Sequence, residues 1–330
     1  MLTSLEIKNF KCFSELKVSP LAKVNLFVGA GNSGKTSLLE AVSWLPHQAP
    51  GEVFGAAGNF RDQSLEPQNQ SGNQRWFFHD LNESKDIRIT ATLQAREWEE
   101  LVVCVSKRQD PDPSLKRVGR LNGGFYVSWS PAGAHNVPPI FDRNPRMIAV
   151  NTDRLPAHHL AVSYDRWTLK TENEGRLVQF LQAVDIRLKS LRPMEPHGQR
   201  MMYADVGLPE RIPLPMLGEG FNRLLQVFGV IIGEGAEIVL VDEIENGLHW
   251  KALPQVWTGL KAAVSSSSAQ IFATTHSYEC IKAAIEVFRG EPRGELAVHR
   301  LERRDDGQIH CVTIEEEMLE QAVEAHWEIR

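Results

Sequence analysis

The sequence predicts an α/β fold, a mostly parallel core sheet flanked by helices and joined to a β-rich arm, and three observations carry this. An apolar run, Val24–Val28, leads directly into the glycine-rich segment GAGNSGKT at 29–36, and helical spacing follows it. Two further apolar runs, IVLV at 238–241 and QIFATT at 270–275, are separated by a helical stretch over 249–264. Strands that alternate with helices imply parallel pairing, because each crossover helix covers a face of the sheet. Between these halves, IRITATL, LVVCVSK and GGFYVSW within 86–130 alternate apolar and polar residues, the period of an antiparallel sheet.

The first lobe, residues 1–85, opens with short strands: Leu5 and Ile7 share a face, a turn follows, then Leu16 and Val18, then Val24–Val28. From Lys35 to Trp44 the residues Leu38, Leu39, Val42 and Leu45 keep helical spacing, and Pro46 stops the helix. Residues 47–75, rich in Gly, Gln, Asn and Pro without periodicity, read as an irregular loop. The β-rich arm spans 86–150; Pro138, Pro139 and Pro145 mark a linker into RMIAVNT, a strand. A helical insertion and linker follows over 151–209, with Leu160, Leu177, Phe180, Leu181 and Val184 in helical register. The last lobe, 210–330, holds a helix over Phe221–Ile232, the two apolar strands with their helix, and then LAVHRL, QIHCVTI and an acidic terminal helix expected to close the sheet edge. No heptad run long enough for a coiled coil is visible.

At 330 residues, 42% hydrophobic and 24% charged, the chain has the composition of an ordinary globular protein, which argues against disorder or a fibrous repeat. Its net charge of -6 gives no global attraction to nucleic acid, although a local basic groove is compatible with it. Lys107, Arg108, Lys116, Arg117 and Arg120 make a basic cluster on a hairpin of the arm, suited either to solvent or to DNA phosphates. Cys12, Cys104, Cys280 and Cys311 form no CxxC pair, which argues against zinc and suits a reducing compartment. The amino-terminal MLTSLEIKNF does not read as a signal peptide, and no apolar stretch approaches the ~18 residues of a membrane helix. A cytoplasmic protein without a membrane partner is expected. His158 and His159 have no carboxylate or cysteine at metal spacing and read as ordinary helix residues.

The chemistry concentrates in three segments. The spacing Gly29-x4-Gly34-Lys35-Thr36 is that of a P-loop: backbone N–H groups of Gly29, Ala30, Gly31, Asn32, Ser33 and Gly34 surround an anion at a helix N-terminus, which Ser37 continues. Lys35 then meets the β- and γ-phosphates of ATP, and the Thr36 hydroxyl meets Mg²⁺. Glycine is needed there because side chains would block the phosphates. The strand IVLV ends in Asp242, placed to hold Mg²⁺ directly or through water, and in Glu243, placed to orient an attacking water. QIFATT leads to His276, whose imidazole would contact the γ-phosphate.

The P-loop, LGEGFNR at 217–223, VDEIENGLH at 241–249 and TTHS at 274–277 together resemble the ABC-type ATPases of the SMC, RecF and OLD group. The resemblance implies a P-loop NTPase with an ABC-ATPase-like head, using ATP and Mg²⁺. It implies a homodimer in which the signature segment, here Gly218, Glu219 and Gly220, caps the ATP of the partner subunit, and in which 245–249 forms the D-loop. Where the family signature carries Ser this chain has Gly218, so that contact falls to backbone N–H groups and to the helix N-terminus from about Gly220. No glutamine is assigned to the family's Mg²⁺-touching position between lobes, since Gln63, Gln68, Gln70 and Gln74 all lie in the irregular loop. The likeness extends to the short, stand-alone AAA-type ATPases of bacterial defence loci, often encoded beside a TOPRIM-like nuclease, and the opening LEIKNFKCF shares in it. An ATP switch acting on such a co-encoded nuclease is expected, because the chain has no nuclease motif of its own. The alternative is a RecF-like maintenance ATPase that binds DNA directly. A transporter subunit fits less well, because the signature lacks Ser-Gly-Gly-Gln and the arm is large and β-rich.

Overall fold

A computed structural model of the chain describes residues 1–45, 73–94, 100–107, 116–120, 126–131, 147–150, 157–182, 184–196, 198–292 and 294–314, with side chains left aside over 116–150. Strand β1 (Leu2–Phe10) turns into β2 (Phe13–Val18), with Leu5 opposite Val18 and Ile7 opposite Leu16. Asn9 and Lys11 take left-handed backbone at this turn, and the Asn9 amide donates to the carbonyls of Asn82 and Lys85 at 3.2 and 2.7 Å. After β3 (Val24–Val28) and α1 (Lys35–Trp44) come β4 (Ile87–Leu93), β5 (Glu100–Ser106), β6 (Lys116–Arg120) and β7 (Tyr126–Pro131). They extend the amino-terminal hairpin into one antiparallel sheet of order β2-β1-β4-β5-β7-β6, Ile7 lying opposite Ile89. The arm is thus joined to the first lobe by the β1–β4 ladder, which pairs 2–8 with 88–93.

Strand β6, KRVGR, escapes the alternation test because Val118 is its one large apolar residue. Of the basic cluster, Lys107 pairs with Glu83, the side chains of Lys116, Arg117 and Arg120 lie outside the described set, and so does Arg108.

The core sheet begins with β8 (Met147–Val150). Helices α2 (Ala157–Trp167) and α3 (Thr171–Gln182) follow, then a small antiparallel sheet of β9 (Ser190–Met194), β10 (Met201–Asp205) and β11 (Ile212–Pro213). This sheet occupies much of the stretch read as linker. Its strands are too short for alternation to register, and Pro193 stands inside β9. Helix α4 (Glu219–Ile232), β12 (Ile238–Val241), α5 (Leu253–Ser265), β13 (Gln270–Thr274), α6 (Tyr278–Phe288), β14 (Leu296–Arg303) and β15 (Ile309–Ile314) complete the fold. The core sheet runs β15-β14-β3-β13-β12-β8, parallel throughout except for β15. LAVHRL therefore lies inside the sheet beside β3, and QIHCVTI forms the edge. The expected terminal helix and residues 47–72 of the irregular loop fall outside the described residues; 73–77 form one 3-10 turn.

Both faces of this sheet are covered, which is why its strands read as continuous apolar runs. Leu26, Val239, Val241, Ile271 and Ala273 face a cluster built with α4, α5 and α6. Phe27, Leu240 and Phe272 face α1 and the antiparallel sheet, and the rings of Phe27 and Phe272 stack at 6.2 Å. The buried Glu40 carboxylate of α1 pairs with Lys11, tying that helix to the hairpin turn.

One buried group should give this fold a pH signature. His299 on β14 is fully buried against Phe27, with ring nitrogens 3.0 Å from Thr313 Oγ1 and 3.3 Å from Asn25 Oδ1. Burial lowers its pKa from 6.5 to about 3. Below pH 6.5 the unfolded chain takes up a proton that the folded chain refuses, so this contribution is complete above pH 6.5 and drains away as pH falls toward 3. The folding equilibrium should fall by up to about tenfold per pH unit in that window. Denaturant unfolding of His299→Asn at several pH values should show a shallower acid limb; a limb as steep as the parent's would contradict this.

Candidate nucleotide-binding site

The P-loop joins β3 to α1 at the carboxyl edge of the sheet. Gly34, with φ 94°, caps α1; a Cβ there would lie 2.8 Å from both Cys12 Sγ and the Phe13 ring. A Cβ on Gly29 would lie 2.4 Å from the Leu301 carbonyl oxygen. The loop's own packing thus demands both glycines, whatever ligand it takes. The head of α1 has no side-chain cap and no acidic residue in its first turn, leaving its N–H groups for an anion. The Lys35 ammonium, 5% exposed, folds over the loop and donates to Gly29 O at 2.8 Å, Ala30 O at 2.9 Å and Ser33 Oγ at 3.2 Å. Burial pushes its pKa down, and the nearby Asp242, Glu243 and Glu245 oppose that shift.

Asp242 follows β12, one sheet position beyond β13 from the P-loop strand. Thr36 Oγ1 donates to its carboxylate, 3.0 Å from Oδ2. Thr274, at the end of β13, donates to Asp242 Oδ1 at 2.6 Å and accepts the Glu243 N–H at 2.7 Å. From α4 the Arg223 guanidinium donates to the Asp242 carbonyl. Three elements therefore hold this one residue in place. A hydroxyl and a carboxylate in contact beside a phosphate-type loop supply the hard oxygen donors that a Mg²⁺ ion takes. Glu243 is half-buried with φ 50°, a left-handed backbone that non-glycine residues seldom adopt.

The remaining candidates lie along the same edge. Glu245 Oε1 accepts the N–H groups of His276 at 2.8 Å and Ser277 at 3.1 Å, and the His276 side chain is exposed. Gly218, with φ 108°, caps α4 without a side-chain bond, and Gly218 and Glu219 are exposed at its head. Gly220 N–H donates to Gly247 O at 3.1 Å, and a Cβ on Gly220 would approach that oxygen to 2.5 Å, so the signature and D-loop segments dock through backbone. In ENGLH, Asn246 and Gly247 are natural helix-capping types, yet the cap falls on His249, whose ring accepts the Lys251 N–H ahead of a 3-10 turn. Gln63, Gln68 and Gln70 are outside the described residues, whereas Gln74 is buried.

The structure adds Arg223, Thr274 and Glu245 to the residues singled out from sequence. Arg223 left a trace there: it is the one cation in the otherwise mostly apolar helix FNRLLQVFGVII, where burial requires a partner. Thr274 stood in sequence only as the start of TTHS; its contact with Asp242 comes from the register that pairs Val241 with Ala273.

Two segments match known protein families: residues 1–121 the AAA ATPase domain, and residues 140–281 the family described as AAA domain, putative AbiEii toxin, Type IV TA system. A Helicobacter pylori protein named ATP/GTP phosphatase is 22% identical over 334 residues, spanning 88% of this chain and 89% of that protein. Among solved structures, the Smc head domain with an extended coiled coil from Pyrococcus furiosus, bound to the C-terminal domain of ScpA, superposes with TM-score 0.59 at 12% identity, covering 99% of this chain and 100% of that one. The SMC head domain from Thermotoga maritima gives 0.52 at 14%, covering 95% and 99% of the two chains. The chain is a P-loop ATPase with an SMC-head-like α/β fold.

Proposed function

We propose that this ATPase is a Mg²⁺-dependent switch: ATP closes two copies head to head over two composite sites, hydrolysis opens them, and the cycle controls a separate effector, a nuclease of anti-phage defence. One observation carries the dimeric reading. Along one edge lie two described helix heads without a side-chain cap, that of α1 in the P-loop and that of α4 at Gly218–Gly220. A nucleotide in the P-loop engages the first, and the exposed second head, docked on the D-loop through Gly247, is left for the nucleotide of another copy. Likeness to SMC heads supports the same reading.

In this mechanism the Lys35 ammonium leaves the loop carbonyls for the β- and γ-phosphates, while the loop N–H groups and the head of α1 take the remaining oxygens. Thr36 and Asp242 would hold Mg²⁺, which when bound neutralises charge on the phosphate oxygens. Glu243 orients the attacking water and accepts its proton, and His276 contacts the γ-phosphate. Gly218 and Glu219 stand exposed at the head of α4 to face the partner's nucleotide, while Gly220 holds that head to the D-loop through Gly247 O. Closure excludes water, so turnover of the isolated chain should be slow and raised by a ligand that favours the dimer.

The effector reading rests on the resemblance to stand-alone ATPases encoded beside a TOPRIM-like nuclease, and on a family match whose description names a toxin–antitoxin system. A cytoplasmic setting fits four free cysteines, and among the described residues no helix is long and apolar enough to cross a membrane. Co-expression with the neighbouring gene's product tests it. Co-purification that changes with ATP is expected. Failure to associate with or without ATP would remove the effector, and ATP-dependent DNA binding by the chain alone would favour the RecF-like alternative.

A further inference from the structure

We propose that Glu245 is a positioning residue for hydrolysis: it carries the state of the D-loop to the backbone that presents His276. The proposal rests on the reading of His276 as a γ-phosphate contact. Two adjacent N–H groups, those of His276 and Ser277, donate to the single oxygen Oε1 of Glu245 at 2.8 and 3.1 Å. Ser277 in turn caps α6, accepting the Cys280 N–H at 3.1 Å, so the loop between β13 and α6 is fixed at both ends and aimed in its middle by Glu245. The neighbouring backbone adds two ties of the same kind, Ile244 N–H to Thr274 O at 3.0 Å and Glu243 N–H to Thr274 Oγ1 at 2.7 Å.

On its other side Glu245 runs directly into Asn246 and Gly247, which are exposed, and Gly247 O receives the head of α4. A second copy that presses on Asn246–Gly247 thus acts, one residue away, on the carboxylate that holds the His276 loop. The second carboxylate oxygen, Oε2, is buried and has no hydrogen-bond partner among the described residues. The contacts therefore ask for one acceptor at a fixed reach and leave the other oxygen unused, an arrangement that burial alone would select against. An amide supplies that acceptor as well as a carboxylate does. A shorter carboxylate does not.

The test compares Glu245→Gln, Glu245→Asp, Glu245→Ala, His276→Ala and the Glu245→Ala/His276→Ala pair in single-turnover hydrolysis, ATP affinity and melting temperature. The expected result is that Gln stays within about twofold of the parent, while Asp and Ala slow hydrolysis by about tenfold to a hundredfold at nearly unchanged ATP affinity, the scale of a displaced catalytic group. The double variant should be no slower than His276→Ala, because both act through one contact. Slow Gln with normal Asp would overturn the proposal, since charge rather than reach would then matter. So would multiplying losses in the double variant, or loss of affinity and melting temperature together in all three Glu245 variants. Normal turnover in His276→Ala would sink the underlying reading and this proposal together; slow His276→Ala beside normal Glu245→Ala and Glu245→Asp would sink this proposal alone.

Discussion

Glu243→Gln should lower turnover by about 10²- to 10⁴-fold, the range typical of a lost general base, while leaving ATP binding intact. The substitution keeps the shape and removes the site that would accept the water's proton. The proposed mechanism makes Glu243 that base, and its backbone is held firmly: its N–H is anchored 2.7 Å from Thr274 Oγ1, and its φ of 50° turns the chain sharply just past Asp242. Unusual backbone of this kind persists where the surroundings enforce it, and it clusters at active sites. The proposed phosphate contacts belong to other residues, Lys35 and the loop N–H groups, and should not feel the change. In the proposed cycle hydrolysis reopens the pair, so the variant should accumulate as an ATP-bound dimer on gel filtration. Turnover within a few-fold of the parent would remove Glu243 from the role of base.

Lys35→Ala should separate binding from folding. Its ammonium is the one side-chain cation in the loop, and a charged hydrogen bond of this class contributes about 1.5–3 kcal/mol, so ATP affinity should fall by about tenfold to a hundredfold. The fold itself should tolerate the loss. Burial already disfavours the charged lysine, and its removal frees the structure of that cost while leaving the Gly29 and Ala30 carbonyls without this donor. The two effects oppose each other, so the melting temperature should move little. Fluorescent-nucleotide titration alongside thermal melting reads both; full affinity, or affinity lost only in step with unfolding, would contradict the assignment.

How much of this was legible in the sequence follows from which forces act locally. The strand, P-loop and α1 unit was legible because a phosphate loop fixes glycines at set spacing and a doubly covered strand is apolar throughout. The same logic revealed β12 and β13, and with them the strand-end positions of Asp242, Glu243 and His276. Strand β6 and the small sheet of β9–β11 were not legible, because short strands bearing Arg, Lys or Pro carry too little alternation to stand out. LAVHRL was legible as a strand but not as an interior one: its place beside β3 is a property of chain topology. Thr274 became part of the site only through strand register, and Glu245 through the close approach of two loops that lie 31 residues apart. Arg223 was visible as an anomaly, a cation on an apolar helix, but its target, the Asp242 carbonyl, was not.

The composite site is tested most directly by specific ATPase activity measured across a wide range of protein concentration. If each nucleotide needs the Gly218–Gly220 helix head of a second copy, activity per chain should rise with concentration and level off once dimers dominate, and Glu243→Gln protein with ATP should form dimers over the same range. High activity per chain that does not change down to the lowest concentration, from protein that stays monomeric with ATP, would contradict it.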